Sequence, residues 1–411
     1  MKLFRVPALL ADRRWIFGKG ALGASLALGV VLSGLTAGPV QAALPAGDSW
    51  VVSVGDSYIS GEAGRWAGNS SDPAQTDALG GAAYLDAGNT ERIAGCHRSS
   101  SAEIRIGQAN ALNLSCSAAG TATAWNAFGK FKPGLDFYDD GAGNLGQALA
   151  LQTFASANRV KMVAVSIGGN DLGFPEIIAT CVSMFLTSPS RFPSHCKDSA
   201  AVAGNFSASN RAAVASRIGT ALANVAKAMT NAGYSAGDYG LVVQNYVSPL
   251  PRSTNISYPE GGFSRQSMYG CGFWNADLDW ATGTALPAIN STIASGIAAS
   301  KVANVQTVDV STLFSGHELC ASTTEKLNNT PLAGWRAPGA VDVSEWISEV
   351  RTASAIFSDY YIQESLHPNY WGQLALRSCL RQIYNDGDVR SGSCTAGTGL
   401  TAAGEPVVTL S

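Results

Sequence analysis

Charge is scarce in this chain. Asp, Glu, Lys and Arg make up 14% of its 411 residues, against roughly 25% in an average globular protein. The formal net charge is −3, so the basic footprint that phosphate binding demands is missing and no nucleic-acid partner is expected. Histidine is rarer still: His97, His195, His317 and His367 are the whole complement. There is no Cys-x-x-Cys or tight Cys/His spacing, so no zinc or other metal site is expected. No Gly-x-Gly-x-x-Gly or Walker motif follows a strand candidate, which leaves no place for a nucleotide, and no cofactor is expected. Internal repeats and Pro-rich linkers are absent, so one domain is read from about 45 to 395. Beyond residue 42 no apolar segment approaches the roughly 20 residues of a membrane span. The mature chain is therefore expected to be a soluble monomer without stable membrane insertion.

What the N-terminus does carry is a targeting pattern. Lys2, Arg5, Arg13, Arg14 and Lys19 form a basic region, Ala21 to Leu35 an apolar one, and Val40-Gln41-Ala42 a small-residue cleavage site. This reads as a signal peptide over residues 1–42, cut after Ala42, with secretion to the extracellular space. Arg13-Arg14 leaves both general and twin-arginine export open.

The eight cysteines agree with export. Cys96, Cys116, Cys181, Cys196, Cys271, Cys320, Cys379 and Cys394 all follow the expected cut. In an oxidising compartment an even set reads as four disulfides. Pairing between nearest neighbours closes four modest loops (96–116, 181–196, 271–320 and 379–394) and is the connectivity expected here, although eight cysteines allow 105 arrangements.

Short apolar runs alternate with helical periodicity. Residues 50–54, 161–167, 240–244 and 305–310 read as buried strands. Residues 208–232 repeat Val214, Ile218, Leu222, Val225 and Met229 at helical spacing, with Gly233 placed as a stop. Residues 276–298 read as a helix kinked at Pro287, and another helix begins at Pro368. Residues 64–100 read as a surface excursion, and 396–411 as a loose polar tail. Strands alternating with helices define an α/β class with a mostly parallel sheet.

Three blocks carry chemistry. Gly55-Asp56-Ser57-Tyr58-Ile59-Ser60-Gly61-Glu62 follows the first strand, and catalytic groups of open α/β sheets gather at the carboxyl ends of strands. Taken alone, Ser57 reads as a helix N-cap. Gly168-Gly169-Asn170-Asp171 follows a second strand and reaches the same rim. Ser365-Leu366-His367-Pro368-Asn369 precedes the last helix. In this order the blocks resemble the GDSL/SGNH hydrolase family, and within it the secreted actinobacterial esterases and lipases, over residues 50 to about 380.

The resemblance implies a flavodoxin-like three-layer fold and hydrolysis of carboxylic esters. It implies Ser57 as nucleophile, His367 as general base, and an oxyanion hole built by Asn170 and the Ser57 N–H. The third oxyanion donor falls on Ala118, where relatives carry glycine, or on Gly120. The group that orients His367 is the Glu364 side chain, the Glu364 carbonyl, or another acid such as Asp359. The other three histidines read as members of disulfide-stapled loops, with His317 able to line the cleft. Asp56 and Asp171 read as turn residues rather than a glycosidase pair. Among the aromatics, Tyr58 and Phe174 are the expected cleft residues; Trp66, Phe185, Tyr269, Phe273 and Trp274 read as core. The expected substrate is a small-molecule or lipid ester. Removal of acetyl groups from polysaccharide and a non-catalytic secreted binding module are the alternatives.

Overall fold

The computed structural model describes residues 44–352 and 361–411. The signal segment and Asp359 lie outside the described residues.

In chain order the strands are β1 (Ser49–Gly55), β2 (Asn110–Asn113), β3 (Ala124–Trp125), β4 (Phe131–Lys132), β5 (Arg159–Ser166), β6 (Gly240–Gln244), β7 (Val305–Asp309), β8 (Gly392–Leu400) and β9 (Pro406–Leu410). The α-helices are α1 (Ser57–Ser60), α2 (Gln147–Ala155), α3 (Phe174–Thr187), α4 (Ala200–Asn205), α5 (Ala208–Asn231), α6 (Ser264–Ser267), α7 (Asn275–Trp280), α8 (Leu286–Ser300), α9 (Ala340–Val343) and α10 (Tyr370–Tyr384). Seven strands make one sheet in the order β2-β1-β5-β6-β7-β8-β9. Every pairing in it is parallel except β8 with β9. The fold is thus α/β with a mostly parallel sheet.

The central strands are apolar because both their faces are covered. Val51, Val52 and Val54 of β1, Met162, Val163 and Val165 of β5, and Leu241 to Val243 of β6 are all buried. Helix α5 follows the expected stripe: Val214, Ile218, Leu222, Val225 and Met229 are buried, and α5 packs against α2 and α8. Its many alanines favour the helix intrinsically, and the buried face adds roughly 1.5–3 kcal/mol for each fully buried aliphatic side chain.

Helices α7 and α8 join through a π-helical turn, Ala281–Ala285. The irregularity expected at Pro287 therefore falls one turn earlier. A proline lacks an N–H and crowds the carbonyl four residues before it, and a widened turn relieves both problems.

Two expectations fail. The stretch after Gly61 is not all surface: Arg65, Trp66, Ala67, Asn69 and Ser70 are buried, and so are His97, Arg98 and Ser99. The residues from 396 are not a loose tail, since β8 and β9 close the sheet as an antiparallel hairpin. Val407-Val408-Thr409 supplies the β-branched content of a strand. Cys394 is bonded to Cys379 of α10, and Glu405 receives Arg381 in a two-pronged ion pair (Nη2 to Oε1 2.6 Å). The four disulfides join Cys96–Cys116, Cys181–Cys196, Cys271–Cys320 and Cys379–Cys394, the nearest-neighbour connectivity.

Candidate active site

The site begins where β1 ends. Gly55 has φ +143°, and a Cβ there would stand 2.0 Å from the Ser166 carbonyl oxygen of β5. Only glycine lets the chain turn this close to its neighbour. The Gln147 side chain at the start of α2 grips both polar groups of Gly55, accepting from its N–H at 2.6 Å and donating to its carbonyl at 2.9 Å. Asp56 then caps α1 by accepting the Tyr58 N–H at 3.1 Å. Ser57 is the first residue of that turn.

His367 comes from the other end of the chain. Asn369 caps α10 through the N–H groups of Trp371 and Gly372, and Gln373 of α10 donates to the Tyr58 carbonyl at 2.8 Å. The Tyr58 hydroxyl donates in turn to the Leu366 carbonyl at 2.8 Å. These contacts bind the last helix to the turn that carries Ser57. Ser57 Oγ and His367 Nε2 lie 2.7 Å apart. The residues are 6% and 8% exposed, so this hydrogen bond is shielded yet reachable.

The group facing the other ring nitrogen is a backbone carbonyl, one residue on from the expected Glu364 carbonyl, while Asp359 lies outside the described residues. His367 Nδ1 faces the carbonyl oxygen of Ser365 at 3.0 Å. A carbonyl only accepts, so Nδ1 carries the proton and Nε2 is left to accept from Ser57. Leu366 sits between them with φ +56°, a left-handed backbone that costs a branched side chain about 1–2 kcal/mol. The Glu364 carboxylate points elsewhere. It accepts from Trp66 Nε1 at 3.0 Å, the Tyr84 hydroxyl at 2.6 Å and the Tyr361 N–H at 3.1 Å, and its own carbonyl accepts the backbone N–H of His367 at 3.2 Å. Burial pushes Glu364 up to about 7.

Asn170 arrives from β5 through Gly168, where φ is +116° and a Cβ would meet Ile218 at 2.7 Å. Its side-chain amide donates one hydrogen to the Ala119 carbonyl at 2.8 Å, which leaves the second free. Ala118 has φ +64°, so this alanine holds the backbone that suits glycine, with its methyl at the surface. Among the described residues, no acceptor is paired with the N–H of Ser57 or of Ala118. Both residues line one cleft with Asn170 and His367. Gly120 lines neither that cleft nor the cavity beside it.

Asp56 and Asp171 hold turns, each in its own way. Asp171 accepts the N–H and hydroxyl of Thr121 at 3.0 and 2.7 Å, which moors the Ala118 loop to the Asn170 turn. Asp56 accepts the hydroxyl of Tyr246. Burial raises its pKa to about 7, although the Tyr246 and Tyr58 hydrogen bonds oppose the rise. For His367, burial is the largest influence and holds the imidazole below its usual value.

Two spaces meet at Ser57. One is an open cleft of about 590 Å³. The other is a narrow apolar tunnel of about 70 Å³. Ser57, Asn170, Phe174 and Ile178 line both. Tyr58, Phe174 and Phe273 do border the tunnel; Trp66, Phe185, Tyr269 and Trp274 border neither space.

Of the remaining histidines, His97 pairs with buried Glu62 (Nδ1 to Oε1 2.8 Å) beneath the Tyr84 ring. Burial disfavours both charges, but their mutual attraction outweighs it, raising His97 and lowering Glu62. His317 stacks on Trp346 at 3.9 Å and borders neither the tunnel nor the cleft. His195 lies 3.8 Å from the Asp277 carboxylate. Among the described residues, no group of three or more His, Cys, Asp or Glu side chains is placed to hold a metal ion, and no helix is long and apolar enough to cross a membrane.

Sequence reasoning missed Gln147, Tyr246 and Ser365. No local motif marks the first two, because their partners lie 92 and 77 or more positions away in the chain. A Gly-x-Ser-x-Gly run does occur at Gly233–Gly237, but it follows α5 rather than a strand, and the exposed Ser235 hydroxyl is held by Asp238 at 2.6 Å.

No protein-family model matches the chain, and no curated protein matches it. Among solved structures it is similar to an extracellular lipase from Streptomyces rimosus, with 20% identity and a TM-score of 0.43 over 80% of this chain and 99% of that one. It is also similar to a phospholipase A1 from Streptomyces albidoflavus, at 19% and 0.39 over 83% of this chain and 100% of that one. A family two carbohydrate esterase from Clostridium thermocellum stands at 14% and 0.32, over 84% and 66%.

Proposed function

We propose that this chain is an exported serine ester hydrolase of the GDSL/SGNH type, acting on acyl esters through a Ser57–His367 pair. The observation that carries the reading is the 2.7 Å contact between Ser57 Oγ and His367 Nε2, with the opposite ring nitrogen fixed on the Ser365 carbonyl. That arrangement prepares a hydroxyl for proton loss and gives the proton a destination.

Ser57 Oγ attacks the ester carbonyl carbon while its proton passes to His367 Nε2. The carbonyl oxygen becomes an oxyanion held by the N–H groups of Ser57 and Ala118 and the free amide hydrogen of Asn170. Collapse of the tetrahedral intermediate breaks the ester C–O bond, and His367 returns its proton to the departing alkoxide. Water then enters, loses a proton to His367, and attacks the acyl-serine; the acid leaves and Ser57 recovers its proton. The Ser365 carbonyl supports the transient imidazolium as an acceptor. Among the described residues no charged side chain is hydrogen-bonded to the ring.

The apolar tunnel at Ser57 favours an acyl chain over a bare acetyl group, and the open cleft offers room for the alcohol portion. Export is supported by the targeting pattern of residues 1–42 together with the four disulfides. The test is hydrolysis of nitrophenyl butyrate by the mature chain. Turnover that falls about 10⁴-fold or more in Ser57→Ala supports the proposal; undiminished turnover in that variant overturns it.

A further inference from the structure

The tunnel has an aromatic pair in its wall. Phe206, which follows α4, and Trp280, which closes α7, meet edge to face with ring centres 5.3 Å apart. Both line the tunnel, neither lines the open cleft, and both are partly exposed. They are thus an aromatic part of the tunnel wall that solvent also reaches. Immediately after Trp280 comes the π-helical turn Ala281–Ala285, three of whose residues, Ala281, Thr282 and Ala285, also line the tunnel. A π turn is wider than an α turn, and such turns recur at functional sites. Here the widened turn presents small side chains where an α-helix with larger ones would fill the space.

This wall is clamped from two sides. The Cys181–Cys196 disulfide joins α3, which forms one side of the tunnel, to the segment leading into α4. The fully buried Asp277 of α7 accepts the N–H groups of Cys196 and Lys197 at 3.2 and 3.1 Å. The Phe206 and Trp280 rings are thus carried by elements that cannot part without breaking a covalent bond or stranding a buried carboxylate.

From this arrangement we infer that the Phe206–Trp280 pair and the Ala281–Ala285 turn set the acyl-chain length that the enzyme accepts. The inference rests on the hydrolase reading and deepens it. The acyl chain leaves the carbonyl at Ser57, runs past Phe174 and Ile178, and stops at the aromatic pair. The accepted substrates are esters of short to medium straight-chain acids, and palmitoyl esters exceed the space.

The experiment compares kcat/KM for nitrophenyl acetate, butyrate, octanoate and palmitate in the wild type, Ala285→Leu and Trp280→Ala. Filling the turn in Ala285→Leu is expected to lower the octanoate-to-acetate ratio by about tenfold or more, and opening the end in Trp280→Ala to raise the palmitate-to-butyrate ratio by about tenfold or more. The two changes run in opposite directions, which general loss of folding cannot produce. Ratios that move by less than about threefold in both active variants, or that move the same way in both, overturn the inference. A wild type that turns over none of the four esters overturns the hydrolase reading itself.

Discussion

The Tyr246 hydroxyl donates to the Asp56 carboxylate and accepts the backbone N–H of Gly169 at 3.0 Å. One phenol thereby fixes the turn that presents Ser57 to the turn that presents Asn170. Both turns end parallel strands, β1 and β5, which pair side by side in register from Val51–Met162 to Gly55–Ser166. The sheet brings the two turns together, and the phenol sets their spacing.

Tyr246→Phe keeps the ring and removes this joint. It leaves a buried carboxylate and a buried N–H without their shared partner, which costs about 1–3 kcal/mol. The expected result is a lower melting temperature and a fall in kcat with little change in KM, because the oxyanion donors lose their relative position while the tunnel persists. Thermal unfolding and steady-state kinetics read both effects. Unchanged kcat would show that the turns hold their spacing without the phenol.

The proposed oxyanion donors make opposite predictions. Asn170→Ala removes a side-chain donor and is expected to reduce kcat by about 10²–10³-fold. Ala118→Gly keeps the N–H and removes a methyl from a left-handed backbone. Its activity is expected to stay near that of the wild type while stability rises by about 0.5–1 kcal/mol, the relief of strain exceeding the entropy of an added glycine. A large loss of activity in Ala118→Gly would contradict the assignment of its backbone as the donor.

Glu364 stands three residues before His367, yet its carboxylate is spent on Trp66, Tyr84 and Tyr361. Its raised pKa, about 7 through burial, has a consequence for stability. The unfolded side chain titrates near 4.3, so between these values the folded state holds the proton and the unfolded state does not. Stability from this group is full below about pH 4 and is lost as the pH rises through about 7. The wild type should therefore lose on the order of 2–4 kcal/mol relative to Glu364→Gln across that window. Denaturant unfolding at pH 4.5 and 7.5 measures the difference. A constant gap between the two proteins would contradict the buried titration.

The proposed base, His367, predicts a pH–rate profile. Burial holds His367 below its usual value, and only the neutral ring can accept the Ser57 proton. With chemistry limiting, kcat/KM should fall on acidification through a midpoint under about 6.5, the ordinary histidine value. A midpoint above it would mean that an unshielded anion supports the imidazolium.

Much of this was legible in the chain. Strand β6 starts and ends where its apolar run does, and α5 follows its periodicity to within one residue. Ser57, Asn170 and His367 could be read because each follows a glycine turn or precedes a helix in a fixed block. The orienting group was read only in kind: a backbone carbonyl was among the expectations, at Glu364, but a carbonyl has no residue signature, and its placement on Ser365 depends on Leu366 adopting a left-handed φ. The tunnel could not be read, since it is lined by segments from Asp56 to Leu366 that share no periodicity. Residues 396–411 were misjudged because small polar residues dominate them, while the pairing that orders them comes from β7, α10 and a disulfide.

The central claim is that Ser57 is the residue a carbonyl or phosphonyl centre meets in the folded protein. Reaction of the intact mature chain with a fluorophosphonate, followed by peptide mass mapping, tests it directly. A single adduct on the peptide containing Ser57, absent in Ser57→Ala and formed about 10³-fold more slowly in His367→Ala, is the predicted result. An adduct on any other serine, with Ser57 unmodified, would contradict it.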